Sequence, residues 1–389
     1  MNHGWEKKRL GEVCKVVGGA TPKTNVTEYW DGPFNWVTPA ELHGNKYFAD
    51  SERKITSEGA KSANLQILPI GTVLLSSRAP IGKVAITTEP TYCNQGFKNL
   101  ICGENVYNEY LYYYLGAHTA ALKKEGSGTT FKEISKTKTE QFQILLPPLQ
   151  CQHAIASELD KLNELIEIKR NQLKDLDTLA QSLFYETFGE PFINSKGWLT
   201  NSFGELASSI NYGTSLPATD GGKYPYIRMN NLTDNGYLDL LNLKYIDIPD
   251  TELDKCLVKK GDILFNRTNS REKVGKTALF DRNEDMVIAG YIIRVRAKSE
   301  ILNPVFAVRY MNLPEMKEHL RKICRGAVNQ ANINSKEMSS IPFLVPPIEL
   351  QNEFATKIEA IEEQKRLIES SIADLETLLA SRMDYWFNE

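Results

Sequence analysis

The feature that most restricts how this chain can fold is an internal repeat. The match is best where the two copies end: Pro147-Pro148 with Gln152 returns, 199 residues later, as Pro346-Pro347 with Gln351. Three further pairs match in the same order: Gly4-Trp5 with Gly197-Trp198, residues 71–75 with 261–265, and Gly82-Lys83 with Gly275-Lys276. The 389 residues therefore predict a unit of about 190 to 200 residues that is used twice.

In each copy, the composition and the predicted secondary structure change at the Pro-Pro pair. Before the pair, short runs rich in β-branched and aromatic residues are separated by Gly, Pro, Asn and Asp, which predicts a mainly β domain. Predicted strands include residues 72–75, 84–87, 263–265 and 291–295, and the predicted helices are residues 107–122 and 304–323. After the pair, a long segment contains neither Gly nor Pro. The predicted domains are 1–148 and 191–346, and the predicted spacer helices are 149–190 and 347–389.

Apolar residues recur in each spacer segment at alternating steps of three and four. A stripe of this kind, sustained over about four heptads, is typical of a coiled-coil helix. The alternative is an amphipathic helix lying on its own domain, which would show a broader apolar face. The predicted seam consists of Ile155, Leu159, Leu162, Ile166, Leu173 and Leu176 in the first helix, and of Phe354, Ile358, Ile361, Ile368, Ile372 and Leu375 in the second.

We predict that the two helices pack antiparallel. The expected fold class is α+β, with two mainly β domains that carry short helices and are separated by an antiparallel coiled coil. Because the two halves are repeats, this arrangement has approximate two-fold symmetry. Lys169 and Lys365 interrupt the two stripes near the middle of the seam, where a polar residue often fixes the register.

Charge is distributed unevenly along the chain. Residues 1–148 carry a net charge of +3 and residues 191–346 carry +4, whereas both spacer segments are acidic. A small positive excess is compatible with DNA binding and does not by itself indicate it. No apolar run approaches the roughly 20 residues of a membrane helix. The six cysteines form no CxxC pair, so we expect a cytoplasmic protein with reduced, mostly structural thiols.

Motifs that would indicate catalysis are incomplete. Residues 274–277 imitate the end of a phosphate-binding loop, but Ser270 stands where that motif needs its first glycine. The Pro-Pro pairs lack the Asn or Asp and the aromatic residue that flank them in amino-methyltransferases. The five histidines show no metal-binding pair at helical spacing. We therefore expect a chain without a catalytic site, a metal or a bound cofactor.

Polar loops supply the candidates for DNA contact, because Arg or Lys pairs with guanine and Asn or Gln with adenine. Residues 226–231 and 266–273 concentrate such side chains, and their repeat partners are residues 36–41 and 76–80. Lys83, Lys276 and Arg294 are expected to contact phosphate, which positions DNA without specifying a base. The alternative is that these are ordinary polar loops. The candidates are Arg78, Lys83, Asn94, Gln95, Arg228, Asn230, Asn231, Arg267, Asn269, Arg271, Lys273 and Lys276.

Several motifs together resemble a known family, the specificity subunits of Type I restriction-modification systems. The matching segments are residues 71–78 with Gly82-Lys83, residues 94–97, residues 126–134, and the helix entries at 147–152 and 346–351. The second half departs from the pattern, since Ile288-Ala289-Gly290-Tyr291 stands in place of Asn94-Gln95-Gly96-Phe97. The resemblance covers essentially the whole length. It implies two target recognition domains that read an asymmetric, bipartite target in double-stranded DNA.

The resemblance also implies partners that carry the catalysis. These are two methyltransferase subunits, which methylate adenine with S-adenosylmethionine, and restriction subunits, which use ATP and Mg²⁺. Two alternatives remain at this point. The partner could combine cutting and methylation in one protein, or the chain could be a scaffold whose two β domains bind proteins instead of DNA.

Overall fold

The computed structural model describes residues 5–78, 80–127, 132–327 and 330–388. Gly4 and residues 128–131, which belong to the repeat and to the motif at 126–134, lie outside the described residues. The chain divides into two compact units, Met1–Arg170 with Ser370–Glu389, and Asn171–Glu369. We call residues 5–148 the first head and residues 191–346 the second head. Each unit contains one head and a part of each long helix.

The first head is built from short strands and helices. Its strands are β1 (Glu6–Arg9), β2 (Cys14–Gly18), β3 (Trp30–Val37), β4 (Tyr47–Phe48), β5 (Lys54–Ile55), β6 (Val73–Leu75), β7 (Val84–Thr87), β8 (Thr91–Cys93), β9 (Lys98–Cys102) and β10 (Gln143–Leu146). Its helices are α1 (Leu10–Val13), α2 (Ser57–Ser62), α3 (Asn108–Ala117), α4 (Thr119–Glu125) and α5 (Lys136–Gln141), followed by the long helix α6 (Leu149–Phe188). The sheets have the orders β2-β9-β6-β7-β4, β5-β3-β8 and β1-β10.

The second head repeats this plan. Its strands are β11 (Leu199–Ser202), β12 (Ala207–Tyr212), β13 (Tyr224–Ile227), β14 (Lys244–Ile246), β15 (Leu257–Val258), β16 (Ile263–Asn266), β17 (Thr268–Asn269), β18 (Thr277–Leu279), β19 (Met286–Ile288), β20 (Ile292–Ala297), β21 (Arg325–Ala327), β22 (Gln330–Asn332) and β23 (Pro342–Val345). Its helices are α7 (Asp250–Cys256), α8 (Pro304–Met311), α9 (Pro314–Ile323) and α10 (Ser335–Ser339), followed by the long helix α11 (Ile348–Phe387). The sheets have the orders β12-β20-β16-β18, β14-β13-β19-β15, β17-β22-β21 and β11-β23.

The strand pairing fixes which residues of the two heads correspond. A parallel strand pair in the first head, β3 with β8, corresponds to the pair β13 with β19 in the second head. In these pairs Val37 lies opposite Cys93, and Ile227 lies opposite Ile288. Asn94 therefore corresponds to Ala289 and not to Ile288, so the alignment predicted for this motif is wrong by one residue. Gly96-Phe97 and Gly290-Tyr291 look equivalent in the sequence, because each is a glycine followed by an aromatic residue. The buried residues that decide the register are instead Phe97 and Ile292.

The two long helices pack antiparallel, as predicted. In the first unit, Arg382 near the end of α11 donates to Glu158 near the start of α6. In the second unit, Lys365 in the first half of α11 donates to Asp177 in the second half of α6. In both contacts a residue from the earlier part of one helix meets a residue from the later part of the other, and this direction is the antiparallel one.

The predicted seam is buried where the helices leave or meet a head and half-buried between. Ile155 and Leu159 belong to the core of the first head, and Phe354 and Ile358 belong to that of the second. Leu173, Leu176, Ile368, Ile372 and Leu375 are half-buried. The helices thus pack both on one another and, near their ends, on the heads. No helix within the described ranges is long and apolar enough to cross a membrane.

The glutamine of each Pro-Pro-x-x-x-Gln motif fastens a long helix to its head. Gln152 is buried, its amide donates to the carbonyls of Asn105 and Pro147, and its carbonyl accepts from the Tyr107 N–H. The corresponding Gln351 makes the same three hydrogen bonds to its own head. Since buried polar groups are costly to leave unpaired, this glutamine fixes where each helix begins.

Candidate DNA interface

Three loops converge in each head, and we define them by their residues. Loop A is 38–41 in the first head and 228–231 in the second. Loop B is 76–82 and 266–275, respectively, and loop C is 94–97 and 289–292. These loops contain all twelve candidates for DNA contact except Lys83 and Lys276, which directly follow loop B.

Loop A has the same turn in both heads with different side chains. In the first head, the Glu41 carboxylate accepts from the Thr38 N–H at 2.7 Å. In the second head, Asn231 Oδ1 accepts from the Arg228 N–H at 2.8 Å. The same backbone therefore displays Thr38 and Ala40 in one head, and Arg228 and Asn230 in the other. This is the pattern expected of a shared frame with variable contacts.

Loops A and B are held together in both heads. Lys83 Nζ donates to the Pro39 carbonyl at 3.0 Å in the first head. In the second head, Asn266 Nδ2 reaches the carbonyl of Met229, which is the residue that corresponds to Pro39, at 3.5 Å. The structure thus brings together two stretches that lie about forty residues apart in the sequence.

Loop C completes the cluster by bonding to loop B. The Ser77 N–H donates to the Gly96 carbonyl at 2.8 Å, and the corresponding Arg267 N–H donates to the Tyr291 carbonyl at 2.9 Å. Gly96 is required for close approach, because a Cβ atom there would lie 2.8 Å from Pro39 Cγ in loop A. The three loops therefore form one contiguous surface on each head.

The candidates of the first head differ in how far they reach solvent. Arg78 is exposed, and its backbone forms a bridge with Glu133. Gln95 is exposed and accepts from the Thr21 hydroxyl at 2.5 Å. Asn94 is half-buried, and its Oδ1 accepts from the Gly96 N–H, which shapes loop C. Lys83 is committed to loop A through its bond to Pro39. Arg78 and Gln95 are thus the two candidates best placed to contact a ligand.

In the second head, three candidates are exposed and carry donors that suit DNA. These are Asn230 in loop A and Arg271 and Lys273 in loop B. Arg271 donates to the Arg321 carbonyl at 3.2 Å, a bond near the surface that leaves further guanidinium donors available.

The remaining candidates of the second head have partners within the head. Asn231 is 4% exposed, and its amide also donates to the Asp239 carbonyl, so it maintains the turn. Lys276 forms an ion pair with Asp234 at 3.0 Å. Asn269 Oδ1 accepts from the Ser270 N–H. Arg228 donates to the Asn242 carbonyl at 3.4 Å.

Arg267 is half-buried and packed by its neighbours. Its guanidinium donates to the Gly290 carbonyl at 3.2 Å and to Asn332 Oδ1 at 3.4 Å, and it lies 4.8 Å from the centre of the Tyr212 ring. These contacts connect loop B with loop C and with β22. Arg267 therefore shapes the surface beside the exposed side chains of loop B.

The expectation that Arg294 contacts phosphate is wrong. Arg294 lies in β20 and is 2% exposed. Its guanidinium donates to the carbonyls of Asp254 and Leu257 and to Asn211 Oδ1. Burial lowers the pKa of this guanidinium, against the opposite effect of Asp262 nearby. The sequence suggested a surface residue because cationic side chains are rarely buried, but here two backbone carbonyls and a side-chain amide accept from the buried guanidinium.

Sequence reasoning missed two exposed aromatic residues at this surface. Tyr291 in loop C is 54% exposed, and Tyr212 at the end of β12 is 39% exposed beside Arg267. Tyrosine contributes both an apolar ring and a hydroxyl, which suits contact with a polar ligand. The correct register would have drawn attention to Tyr291, because it stands where the first head has Gly96. Within the described part of the chain, no group of three or more His, Cys, Asp or Glu residues could hold a metal ion.

Most of the chain is similar in sequence to a known family. The family model described as "Type I restriction modification DNA specificity domain" matches residues 2–178 and again residues 186–377. The chain is 36% identical over 251 residues to the Type I restriction enzyme MjaIX specificity subunit of Methanocaldococcus jannaschii, which covers 59% of this chain and 58% of that protein. It is 24% identical over 373 residues to the MjaVIII specificity subunit of the same organism, with 92% and 86% covered. The match with MjaIX thus spans less than two thirds of that relative.

Solved structures share the fold. One, described as "Structural basis underlying complex assembly and conformational transition of the type I R-M system", has a TM-score of 0.62 at 20% identity, with 98% of this chain and 97% of that chain covered. The Type-I restriction-modification system S subunit from M. genitalium has a TM-score of 0.57 at 14% identity, with 99% and 96% covered. With two tandem matches to the family model over most of its length, the chain belongs to the Type I restriction modification DNA specificity family.

Proposed function

We propose that this chain is the DNA sequence-specificity subunit of a Type I restriction-modification complex. Each head reads one half-site of a bipartite target in double-stranded DNA. The recognition domains are residues 1–148 and 191–346, and the long spacer helices are residues 149–190 and 347–389. The observation that carries the proposal is the repeated convergence of loops A, B and C. The same backbone frame presents different side chains in the two heads, so the two half-sites should differ in sequence.

The exposed side chains suit direct reading of bases. In the second head, Arg271 and Lys273 can donate to guanine, and Asn230 can pair with adenine. In the first head, Arg78 and Gln95 offer the same two chemistries. Phosphate contacts, which set the position on the duplex, would come from the remaining cationic side chains around the loops.

Catalysis belongs to the partners under this proposal. The chain scaffolds two methyltransferase subunits, which use S-adenosylmethionine, and restriction subunits, which use ATP and Mg²⁺. The long helices support such a role, because they keep apolar side chains on their outer faces. Leu165 and Ile168 on α6 and Leu367 and Leu378 on α11 are large, exposed apolar residues. A protein partner that covers them gains the free energy of burying apolar surface.

The test begins with the complete methyltransferase complex and a map of the methylated adenines. Arg271→Ala should change the preference at the half-site read by the second head, and should leave the other half-site as it was. Loss of one direct base contact costs on the order of 1–3 kcal/mol in discrimination. The matched control is Lys260→Ala, since Lys260 is an exposed cation that precedes β16, at the opposite end of this strand from loop B.

A phosphate contact and a protein scaffold have distinct outcomes in this experiment. If Arg271 contacts phosphate, Arg271→Ala weakens binding to all sequences equally and reduces the dependence on salt. If the chain is a scaffold for proteins, the wild-type complex shows no sequence-dependent DNA binding, and the proposed function fails.

A further inference from the structure

A compact polar cluster connects the loop A region of the first head with the long helix α6. Lys46, which follows loop A in the chain, has its Nζ 3.0 Å from Glu109 Oε2 in α3 and 2.5 Å from Asp160 Oδ1 in α6. The Tyr47 hydroxyl donates to Glu109 at 2.6 Å, and the Tyr113 hydroxyl donates to Asp160 at 2.6 Å. Lys46 is largely buried, so these ion pairs are less screened than pairs at the surface.

The second head contains a comparable cluster made of other residues. The Tyr237 hydroxyl accepts from Arg309 in α8 at 2.7 Å and from Lys365 in α11 at 3.3 Å. Arg309 pairs with Glu362 in α11 at 2.6 Å, and Lys365 pairs with Asp177 in α6 at 2.6 Å. Lys365 is 6% exposed. Tyr237 is therefore joined to α11 directly through the buried Lys365, and to α6 through the ion pair of Lys365 with Asp177.

Both clusters connect directly to the candidate DNA interface. In the second head, Tyr237 lies in a hairpin with Asp239, whose N–H donates to the Asn231 carbonyl of loop A at 2.8 Å and whose carbonyl accepts from the Asn231 side-chain amide at 2.8 Å. In the first head, only four residues separate Lys46 from the end of loop A, and the Lys46 carbonyl accepts from the Ile86 N–H of β7, the strand that follows loop B. A displacement of either cluster would therefore move loop A.

The connection recurs although its residues do not. In the first head a lysine after loop A reaches the helix, and in the second head a tyrosine after loop A does so. Tyr113 occupies the place of Arg309, because each reaches the long helix from the corresponding position of α3 or α8. Two different sets of side chains that make one link indicate that the link itself matters, and not one particular packing arrangement.

We propose that Lys46 and Tyr237 are positioning residues that hold loop A in place relative to the long helices. Neither contacts DNA, yet the ability of each head to distinguish its half-site depends on them. A base contact requires its side chain to be held within a fraction of an ångström by supporting residues. If the link is removed, loop A becomes free to adjust, and the correct base loses its advantage over an incorrect one. This inference rests on the proposed function.

The test uses the complete methyltransferase complex and duplexes with one altered base pair in either half-site. The quantity measured is the ratio of kcat/KM for the correct duplex to that for the altered duplex. Lys46→Met should lower this ratio at least about fivefold for the first half-site, the size expected for a coupling of about 1 kcal/mol, and leave the second unchanged. Tyr237→Phe, which removes only a hydroxyl, should lower the ratio for the second half-site and leave the ratio for the first unchanged.

Two further variants separate positioning from general stability. Lys46→Arg keeps the charge and should restore the ratio. Lys54→Met removes a partly exposed cation of the same head that pairs with Asp50 at 2.7 Å, and it should leave both ratios unchanged. Where Lys46→Met fails to fold, Tyr113→Phe tests the same link, because it removes the hydroxyl that donates to Asp160.

The outcomes distinguish this inference from the proposed function. Folded variants whose ratios equal those of the wild type, or fall equally at both half-sites, overturn the positioning role. A wild-type complex that shows no preference between correct and altered duplexes overturns the proposed function itself.

Discussion

Arg382 donates two hydrogen bonds, of 2.5 and 3.1 Å, to the Glu158 carboxylate. Arg382 lies in the last turns of α11 and Glu158 in the first turns of α6. The Trp386 indole donates to the same carboxylate at 3.0 Å. The next residue, Phe387, is buried against Tyr110 and Tyr114 of the first head. The end of the chain is therefore part of the core of the first unit, and the two helices must run in opposite directions.

The antiparallel order predicts which engineered cysteines can be linked. Asp177→Cys with Lys365→Cys should be joined efficiently by a short bifunctional reagent, because the two native side chains are 2.6 Å apart. The background should carry Cys151→Ser, since Cys151 is exposed. Gel mobility under reducing and non-reducing conditions reports the link when the reagent is cleavable. Efficient linkage between Gln150→Cys and Glu349→Cys, which pairs the two helix starts, would contradict the antiparallel order.

The glutamine at the start of α6 should be important for stability. Gln152→Ala removes three hydrogen bonds and leaves buried backbone groups unpaired, at a cost of about 1–3 kcal/mol for each group that water cannot reach. We expect a lower free energy of unfolding in urea, measured by circular dichroism. Gln150→Ala, two residues earlier in the same helix and exposed, should change this free energy by less than about 0.5 kcal/mol. Equal effects of the two variants would contradict the assignment.

Glu109 should make the stability of the protein depend on pH under acidic conditions. Burial raises the pKa of its carboxyl, but hydrogen bonds from Tyr47, Lys46 and Tyr107 outweigh this effect and lower the pKa to about 2. Because the folded pKa lies below the unfolded value, the stabilisation is complete above about pH 4.5 and is lost as the pH falls toward 2. Asp160, on the other side of Lys46, competes for the same ammonium group.

The measurement compares wild type with Glu109→Gln in urea at several pH values. The difference in free energy of unfolding should be largest near pH 7 and should shrink as the pH falls from 5 to 3. Glu140→Gln, which alters a partly exposed carboxylate of the same head that pairs with Lys136 at 3.7 Å, is the control and should show little change. A constant difference across this range would show that Glu109 does not titrate as described.

A fragment ending at Glu190 should dimerise. It lacks Phe387, which fills the core of the first unit, but it contains Phe188, the residue 199 positions earlier in the repeat. A second copy can place its own Phe188 in that position, and burying a side chain of this size contributes about 1.5–3 kcal/mol. Light scattering should report twice the fragment mass. With methyltransferase subunits, the dimer should direct methylation to an inverted repeat of the first half-site.

The control for the fragment is Phe188→Ala, which should weaken or abolish dimerisation. A soluble monomer of the unaltered fragment would show that the helices do not organise the heads as proposed.

Local patterns in the sequence were enough to predict the main helices and strands and the antiparallel direction of the two long helices. The period of three and four predicted α6 and α11 to within about two residues, and the apolar runs predicted β6, β7, β16 and β20. The helices predicted at 107–122 and 304–323 are present, each broken into two. These features follow from period and composition, which depend on neighbours along the chain. The repeat then required both halves to share one plan.

The tertiary structure decided which polar side chains are available. The sequence predicts a DNA contact for both Arg294 and Arg271. Arg294 is buried inside the second head, whereas Arg271 is exposed on loop B. The register of loop C, the role of Gln152 and the cluster around Lys46 depend on residues that are distant along the chain. Whether a charge is solvated or satisfied inside is a property of its three-dimensional surroundings. The sequence by itself determined the repeat and the elements, and only the packing determined which side chains remain free to meet DNA.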